Sequence, residues 1–373
     1  MTTDSKSIKR FVMYLSDAFG GHGGIAKFNR DFIRAACSQS SCGEMVVYPR
    51  VASRAVSEML PRNLRLVVDG LNSKWKYTLT ILRGLCSCKK YDIVICGHIN
   101  LLPIAWLVSV WIQSPLLLII HGIEAWTPHQ QMVIRYLVKH IDVCICVSEV
   151  SKTRFLSWAG VESGKCYILP NCVDMKRFRP SPKNEQLLSR HNLKGRPVLM
   201  TLGRLDSAER FKGFDEVLEV LPSLIEHLPN VVYLIVGGGP DRGRLERKVV
   251  SLGLSSHVVF AGLIEESEKV DYYNLADVFV MPSRGEGFGI VLLEAMSCGV
   301  PTVASCLDGG REALRDGALG VLVDPRDLED VQKGILQALR LPKRRPTELD
   351  YFSSSAYECR VHKILDRLSK VNF

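Results

Sequence analysis

Two carboxylates stand eight positions apart in RGEGFGIVLLEAMSCGVP, residues 284–301. Glu286 lies among glycines, and Glu294 follows the aliphatic run Ile290-Val291-Leu292-Leu293. The preceding ADVFVMPS reads as a strand, so RGEGFG is a loop at its carboxyl end that opens a helix near Ile290. Amides at such a helix start, here those of Gly287 to Ile290, favour an anion. Glu294, one turn inside the helix, can accept from vicinal hydroxyls such as those of a ribose, and Glu286 can face a reacting group. The ordinary alternative for Glu294 is a solvent-facing helix acid. Its apolar neighbours Val291, Leu292, Leu293, Ala295 and Met296 instead demand a partner for a buried carboxylate.

A second pair of residues extends this picture. TLGRLDSAERFKGFDEVLEVL places Arg204 just after a strand and Lys212 eight residues on, before a helix. Two cations beside a helix N-terminus suit a diphosphate, although surface Lys and Arg are usually only solvated. VVYLIVGGGP puts Gly237, Gly238 and Gly239 at another strand end, where glycine permits close backbone approach. It is not a clean G-x-G-x-x-G and is weak by itself. In the N-terminal half, SDAFGGHGGIAKFNRDF holds Gly20, Gly21, Gly23 and Gly24 between a strand and a helix. That loop can admit a phosphate or sugar, or be no more than a tight turn. His121 closes the strand LLLIIHG; a lone His is more often structural.

The elements that must carry these residues alternate along the chain. RFVMYLS, MVVYP, LRLVVD, YDIVICG, LLLIIHG, DVCICVS and KCYILPN form one strand series with helices between several members. PNCVDMKRFRPSPKN (170–184), with three prolines, reads as a linker. PVLMTLGR, VVYLIVGGG, HVVFAG, DVFVMPS, PTVAS and GVLVD form a second series. Two doubly wound α/β domains in tandem follow, with ligands at the carboxyl ends of the strands. The expected division is 1–175, 176–350 and a final amphipathic helix over 351–373.

At 373 residues the chain is too long for one ordinary core. Its 47% hydrophobic and 23% charged residues exclude wholesale disorder. Residues 1–180 carry 23 Lys and Arg against 12 Asp and Glu, a net of +11, while residues 181–373 carry 25 against 27, a net of −2. A basic half suits an anionic membrane or nucleic acid, but no nucleic-acid motif or aromatic platform supports the latter. The 12 cysteines include no CxxC and no zinc spacing. MTTDSKSIKR lacks the apolar core of a secretory signal, and a reducing cytoplasm is the expected compartment. The apolar run 101–122 approaches the length of a membrane span, but Gln113-Ser114-Pro115 divides it into a helix (about 102–111) and a strand (116–120).

Together these residues resemble retaining glycosyltransferases of family 4, group 1, with the GT-B fold. Glu286 and Glu294 match that family's E-x7-E motif, Arg204 and Lys212 its GR…KG pair, and PNCVD (170–174) its PNGVD signature, with Cys172 in place of glycine. The glycine loop and His121 also match, so the resemblance covers nearly the whole chain and is most specific over 198–325. It implies two Rossmann-like domains facing across a cleft, with the last helix returning to the N-terminal domain. It further implies that Arg204, Lys212 and the amides of Phe288, Gly289 and Ile290 hold the donor diphosphate, with Gly23 and Gly24 lining it. Glu294 would bind the ribose, main chain around Leu263 and Gly237 would flank the base, and Glu286 and His121 would hold the transferred sugar.

Such enzymes need no metal or other cofactor, and no D-x-D stands at a comparable strand end. The expected activity is retaining transfer from a nucleotide sugar, UDP rather than GDP, to a glycan or lipid-linked acceptor in bacterial surface polysaccharide or glycolipid synthesis. NSKWKYTLTILRGLCSCKK (72–90), a basic amphipathic helix, can dock on the inner face of the cytoplasmic membrane; packing on the sheet is the plain alternative. A non-hydrolysing UDP-sugar epimerase shares the architecture, and a non-catalytic scaffold is the reading from another class.

Overall fold

The computed structural model describes residues 8–53, 58–85 and 90–368. Cys86, Cys88 and Lys89 of the expected 72–90 helix therefore lie outside the described residues, as do the last five residues of the expected terminal helix.

The chain forms two units, one built from the sequence up to Asn171 together with Ser354 onward, the other from Cys172 to Ser353. The first carries seven strands: β1 (Lys9–Leu15), β2 (Cys42–Pro49), β3 (Leu64–Leu66), β4 (Ile93–Cys96), β5 (Leu116–Ile120), β6 (Val143–Cys146) and β7 (Cys166–Ile168). They pair in the order β3-β2-β1-β4-β5-β6-β7, and every pairing is parallel. Continuous apolar runs make this possible, because a parallel sheet is covered on both faces and tolerates no polar alternation. LRLVVD is a strand over only three of its residues.

Helices α1 (Gly24–Ser38), α2 (Lys74–Leu85), α3 (Leu102–Ile112), α4 (Met132–Leu137) and α5 (Glu149–Ala159) connect the strands. Tyr77 and Ile81 of α2, Ala105 and Val108 of α3, Ile134 of α4 and Phe155 of α5 share one core with Val12, Val94, Leu118 and Cys144 of the sheet. Four helices thus cover one sheet face. The apolar run 101–122 resolves into α3, a left-handed Gln113 and β5. Among the described residues no helix is long and apolar enough to cross a membrane.

The second unit has six strands, β8 (Val198–Leu202), β9 (Val232–Val236), β10 (Val258–Gly262), β11 (Val278–Met281), β12 (Thr302–Ser305) and β13 (Val321–Val323), all parallel in the order β10-β9-β8-β11-β12-β13. Its helices are α6 (Glu185–Arg190), α7 (Phe214–His227), α8 (Arg242–Ser251), α9 (Lys269–Leu275), α10 (Ile290–Ser297), α11 (Gly310–Ala313) and α12 (Leu328–Leu339). Of the expected linker 170–184, the residues from Cys172 on belong to this unit. Phe178 is buried, and its carbonyl accepts from Ser297 Oγ (2.6 Å) and from the Arg345 guanidinium (3.0 Å).

The last helix, α13 (Ser354–Leu368), belongs to the first unit and packs along α1. Tyr357 meets the ring of Phe28 edge-on at 6.2 Å, and Gln39 donates to Asp366 across 2.7 Å.

Candidate active site

In the second unit, sheet order reverses between β8 and β11, and ligands of open α/β sheets bind at such a point. The loop after β8 carries Arg204 and Lys212; the loop after β11 carries Glu286. The two are knitted together by the Arg284 amide, which donates to the Phe211 carbonyl at 2.7 Å. A side chain at Gly285 would come within 2.7 Å of the Phe211 ring, and one at Gly213 (φ 89°) within 2.7 Å of Pro282. Glycine at both positions is what lets the loops touch.

The charged groups form a chain. Lys212 Nζ lies 3.4 Å from Glu286 Oε2 and 3.6 Å from Glu209 Oε2, and Arg204 pairs with the other oxygen of Glu209. The Glu286 carboxylate is the main cause that holds the Lys212 ammonium above its ordinary range. Arg204 is exposed, whereas Lys212 is mostly covered. Sequence reasoning brought Arg204, Lys212 and Glu286 together but missed Glu209, whose only signal was its place between the two cations.

α10 begins at Ile290 with Gly289 at its N-cap (φ 90°) and no side-chain cap among the described residues. Phe288 is buried against the Phe352 ring at 5.6 Å. Glu294 is 1% exposed, which removes the solvent-facing alternative. Tyr273 of α9 donates to its Oε2 at 2.8 Å, and Lys269 Nζ lies 3.4 Å from the same oxygen. Oε1 is buried with no hydrogen-bond partner among the described residues. Burial, and then the Glu294 charge, hold the Tyr273 phenol well above its usual range, so it stays a donor.

The glycines after β9 let the chain approach closely within the protein itself. A side chain at Gly237 would stand 1.9 Å from the Gly203 carbonyl oxygen, and one at Gly239 2.1 Å from that of Leu205. The close approach is to the protein's own β8 loop. Gly237 also donates to the Gly262 carbonyl at 2.8 Å, which brings it beside Leu263, itself 85% exposed.

The first unit assembles its own candidates at the ends of β1, β4 and β5. Gly23 takes φ 91° at the N-cap of α1, a conformation that favours glycine. Arg30 from α1 donates to the carbonyls of Ala18 (2.8 Å) and Gly21 (3.0 Å), holding the glycine loop. Phe28, on the same helix, meets the His121 imidazole edge-on at 5.0 Å. Because the Gly97 carbonyl only accepts, His121 Nε2, 2.9 Å away, carries the proton and Nδ1 is left as an acceptor. The Glu124 carboxylate accepts from the amides of His121 (2.6 Å) and Gly122 (3.1 Å) and fixes the turn. His98, at the end of β4, lies 6.4 Å from His121 between ring centres, and burial lowers the pKa of both. Sequence reasoning passed over His98, although CGH at a strand end carries the same signal as IHG.

Among the described residues no group of three or more His, Cys, Asp or Glu is placed to hold a metal ion.

Residues 23–177 match the family model for "Glycosyltransferase Family 4" and residues 184–353 that for "Glycosyl transferases group 1". A GDP-mannose-dependent alpha-(1-6)-phosphatidylinositol monomannoside mannosyltransferase of Mycolicibacterium smegmatis is 37% identical over 235 residues, covering 60% of each chain. A phosphatidyl-myo-inositol mannosyltransferase of Mycobacterium tuberculosis is 36% identical over 205 residues, covering 53% of this chain and 50% of that one. The chain thus matches at most about 60% of the length of these relatives. Among solved structures, Anabaena HepE in complex with UDP and glucose superposes with a TM-score of 0.77 at 19% identity, covering 96% of this chain and 100% of that one. The fold is GT-B.

Proposed function

The chain belongs to the glycosyltransferases of family 4, and we propose that it moves a mannosyl group from GDP-mannose onto a phosphatidylinositol-linked acceptor with retention at the anomeric carbon. The observation that carries the donor site is Glu294. A buried carboxylate with one bare oxygen is costly until a hydroxyl donor fills it, and a ribose supplies two. Arg204 and Lys212 take the diphosphate with the amides of Phe288, Gly289 and Ile290. They meet the charge that develops as the nucleotide leaves, so no metal is required in this reading. Glu286 holds the transferred sugar, Leu263 and Gly237 flank the base, and His121, Gly23 and Gly24 are the first unit's own candidates for ligand contact.

The sequence alone favoured UDP. The relatives at 36–37% identity are mannosyltransferases, the first named as GDP-mannose-dependent, whereas the UDP complex is only 19% identical, so guanosine replaces uridine in the proposal. Both family models describe glycosyl transferases, and the epimerase reading gains no support.

A lipid-linked acceptor requires a surface that meets lipid. α2 buries only Tyr77 and Ile81 and exposes Trp75 (88%), Leu79 and Leu82 among Lys74, Lys76 and Arg83. Its neighbours on that sheet face add Leu107, Val110 and Trp111 from α3 and Met132, Val133 and Tyr136 from α4, all exposed. Aromatic and aliphatic groups among cations suit an anionic lipid surface, wider than the 72–90 helix alone.

The decisive experiment incubates the protein with GDP-mannose or UDP-glucose and vesicles containing phosphatidylinositol or its monomannoside, with product configuration read by NMR. Mannosylated lipid in the α configuration supports the proposal. Transfer only from UDP-glucose, or a β product, overturns the donor or the stereochemical assignment respectively.

A further inference from the structure

The loop that carries Glu286 is gripped from an element no motif includes. Asp308, three residues past the end of β12, has no solvent exposure. Its Oδ2 accepts from Ser283 Oγ at 2.7 Å and from the Glu286 amide at 2.9 Å, and its Oδ1 accepts from the Gly310 amide at 3.0 Å. The next residue returns the contact, because the Gly309 amide donates to the Glu286 carbonyl at 2.9 Å. Both main-chain groups of Glu286 are therefore bound by the pair 308–309. A side chain at Gly309 would lie 2.1 Å from the Gly287 carbonyl oxygen, so the β12 turn lies flat on the loop only as glycine.

We propose that Asp308 is the positioning residue for Glu286, fixing the main chain from which that carboxylate reaches the transferred sugar. This rests on the role given to Glu286 above. A structural acid alone explains the grip poorly. Among the described residues Asp308 is hydrogen-bonded by dipoles, the like-signed Glu286 charge acts on it, and burial pushes its carboxyl up to about 7. A site that keeps a costly carboxylate beside a reacting group is characteristic of function. Both oxygens accept, which asparagine cannot reproduce because its amide nitrogen would face a donor. The Glu286 side chain is itself paired at 3.4 Å to Lys212, so its aim depends on where the backbone holds it.

The test compares wild type, Asp308→Asn, Ser283→Ala and Glu286→Gln in GDP-mannose transfer, GDP binding by calorimetry, and amide hydrogen exchange over 283–289. Asp308→Asn is expected to lower kcat by about tenfold or more while GDP affinity stays within about threefold, since the lost precision affects the reacting end only. The acid limb of the wild-type kcat profile near pH 7 should vanish in Asp308→Asn. Ser283→Ala, which removes one of three donors, should give a smaller loss in the same direction. Exchange at Glu286 and Phe288 should quicken in both. Unchanged kcat per folded molecule with unchanged exchange overturns the proposal, as does a fall in GDP affinity that matches the fall in kcat. If Glu286→Gln transfers at the wild-type rate, the role of Glu286 falls instead, and the exchange measurement alone decides whether Asp308 holds the loop.

Discussion

Tyr273 donates its hydroxyl to Glu294 Oε2 across 2.8 Å where both side chains are buried, leaving Oε1 as the open acceptor. The phenol orients the carboxylate; the free oxygen is what a ligand meets. Glu294→Ala is predicted to weaken GDP binding by about 10- to 100-fold, the scale of one or two charge-assisted hydrogen bonds. Tyr273→Phe keeps the charge and loses only its orientation, so its effect should be smaller. Calorimetric titration with GDP checks both, and equal binding by Glu294→Ala would remove the ribose assignment.

Glu209 competes with a ligand for the cations it pairs. It lies 3.6 Å from Lys212 and is paired with Arg204, the two groups assigned to the diphosphate. Glu209→Gln should therefore tighten GDP binding by about two- to tenfold, whereas Lys212→Ala should lower kcat/KM by about 100-fold or more. The first change is a gain and the second a loss, and a general loss of structure would not give the gain.

The buried histidines make stability depend on pH. Burial depresses the pKa of His98 and His121, so the folded state prefers both neutral. Between the depressed values and about 6.5 the unfolded chain binds more protons, so stability is fully present above that pH and is lost as pH falls through the window. Denaturant titrations at about pH 7.5 and about pH 5.5 should show a smaller acid-induced loss for His98→Gln/His121→Gln than for wild type. Identical losses would mean that neither ring titrates against folding.

The exposed apolar residues of the first unit predict lipid binding. Replacing Trp75, Leu79 and Leu82 by Ser, or Trp111 and Met132 by Ser, should each reduce co-sedimentation with phosphatidylglycerol-containing vesicles. The change should leave GDP affinity unaltered. Binding by wild type should fall when salt is raised, because cations supply part of it. Wild-type protein that stays in the supernatant at low salt would refute the surface.

Much of this was legible in the sequence because the signals are local. Continuous apolar runs ending in glycine, cation or acid located the strand ends that carry Arg204, Glu286 and His121, and the aliphatic run around Glu294 announced its burial. Partners remote in sequence were not legible: Tyr273 sits 21 residues from Glu294 and Asp308 22 from Glu286, on elements with no motif. That Gly203 crowds Gly237 was not legible for the same reason, since strand order brings the two together. Residues 170–184 looked like linker because prolines suppress regular structure without suppressing packing, as buried Phe178 shows.

Because α13 folds with the first unit after the chain has left it, the polypeptide passes between the units at two places, after Asn171 and after Ser353. One proteolytic nick therefore leaves the halves covalently joined, and two are needed to free the second unit. The first unit cannot be obtained by stopping synthesis at Asn171, since the surface of α1 that packs on Tyr357 and the Gln39 amide that donates to Asp366 would be laid bare. A fragment meant to isolate it needs the last twenty residues spliced back on.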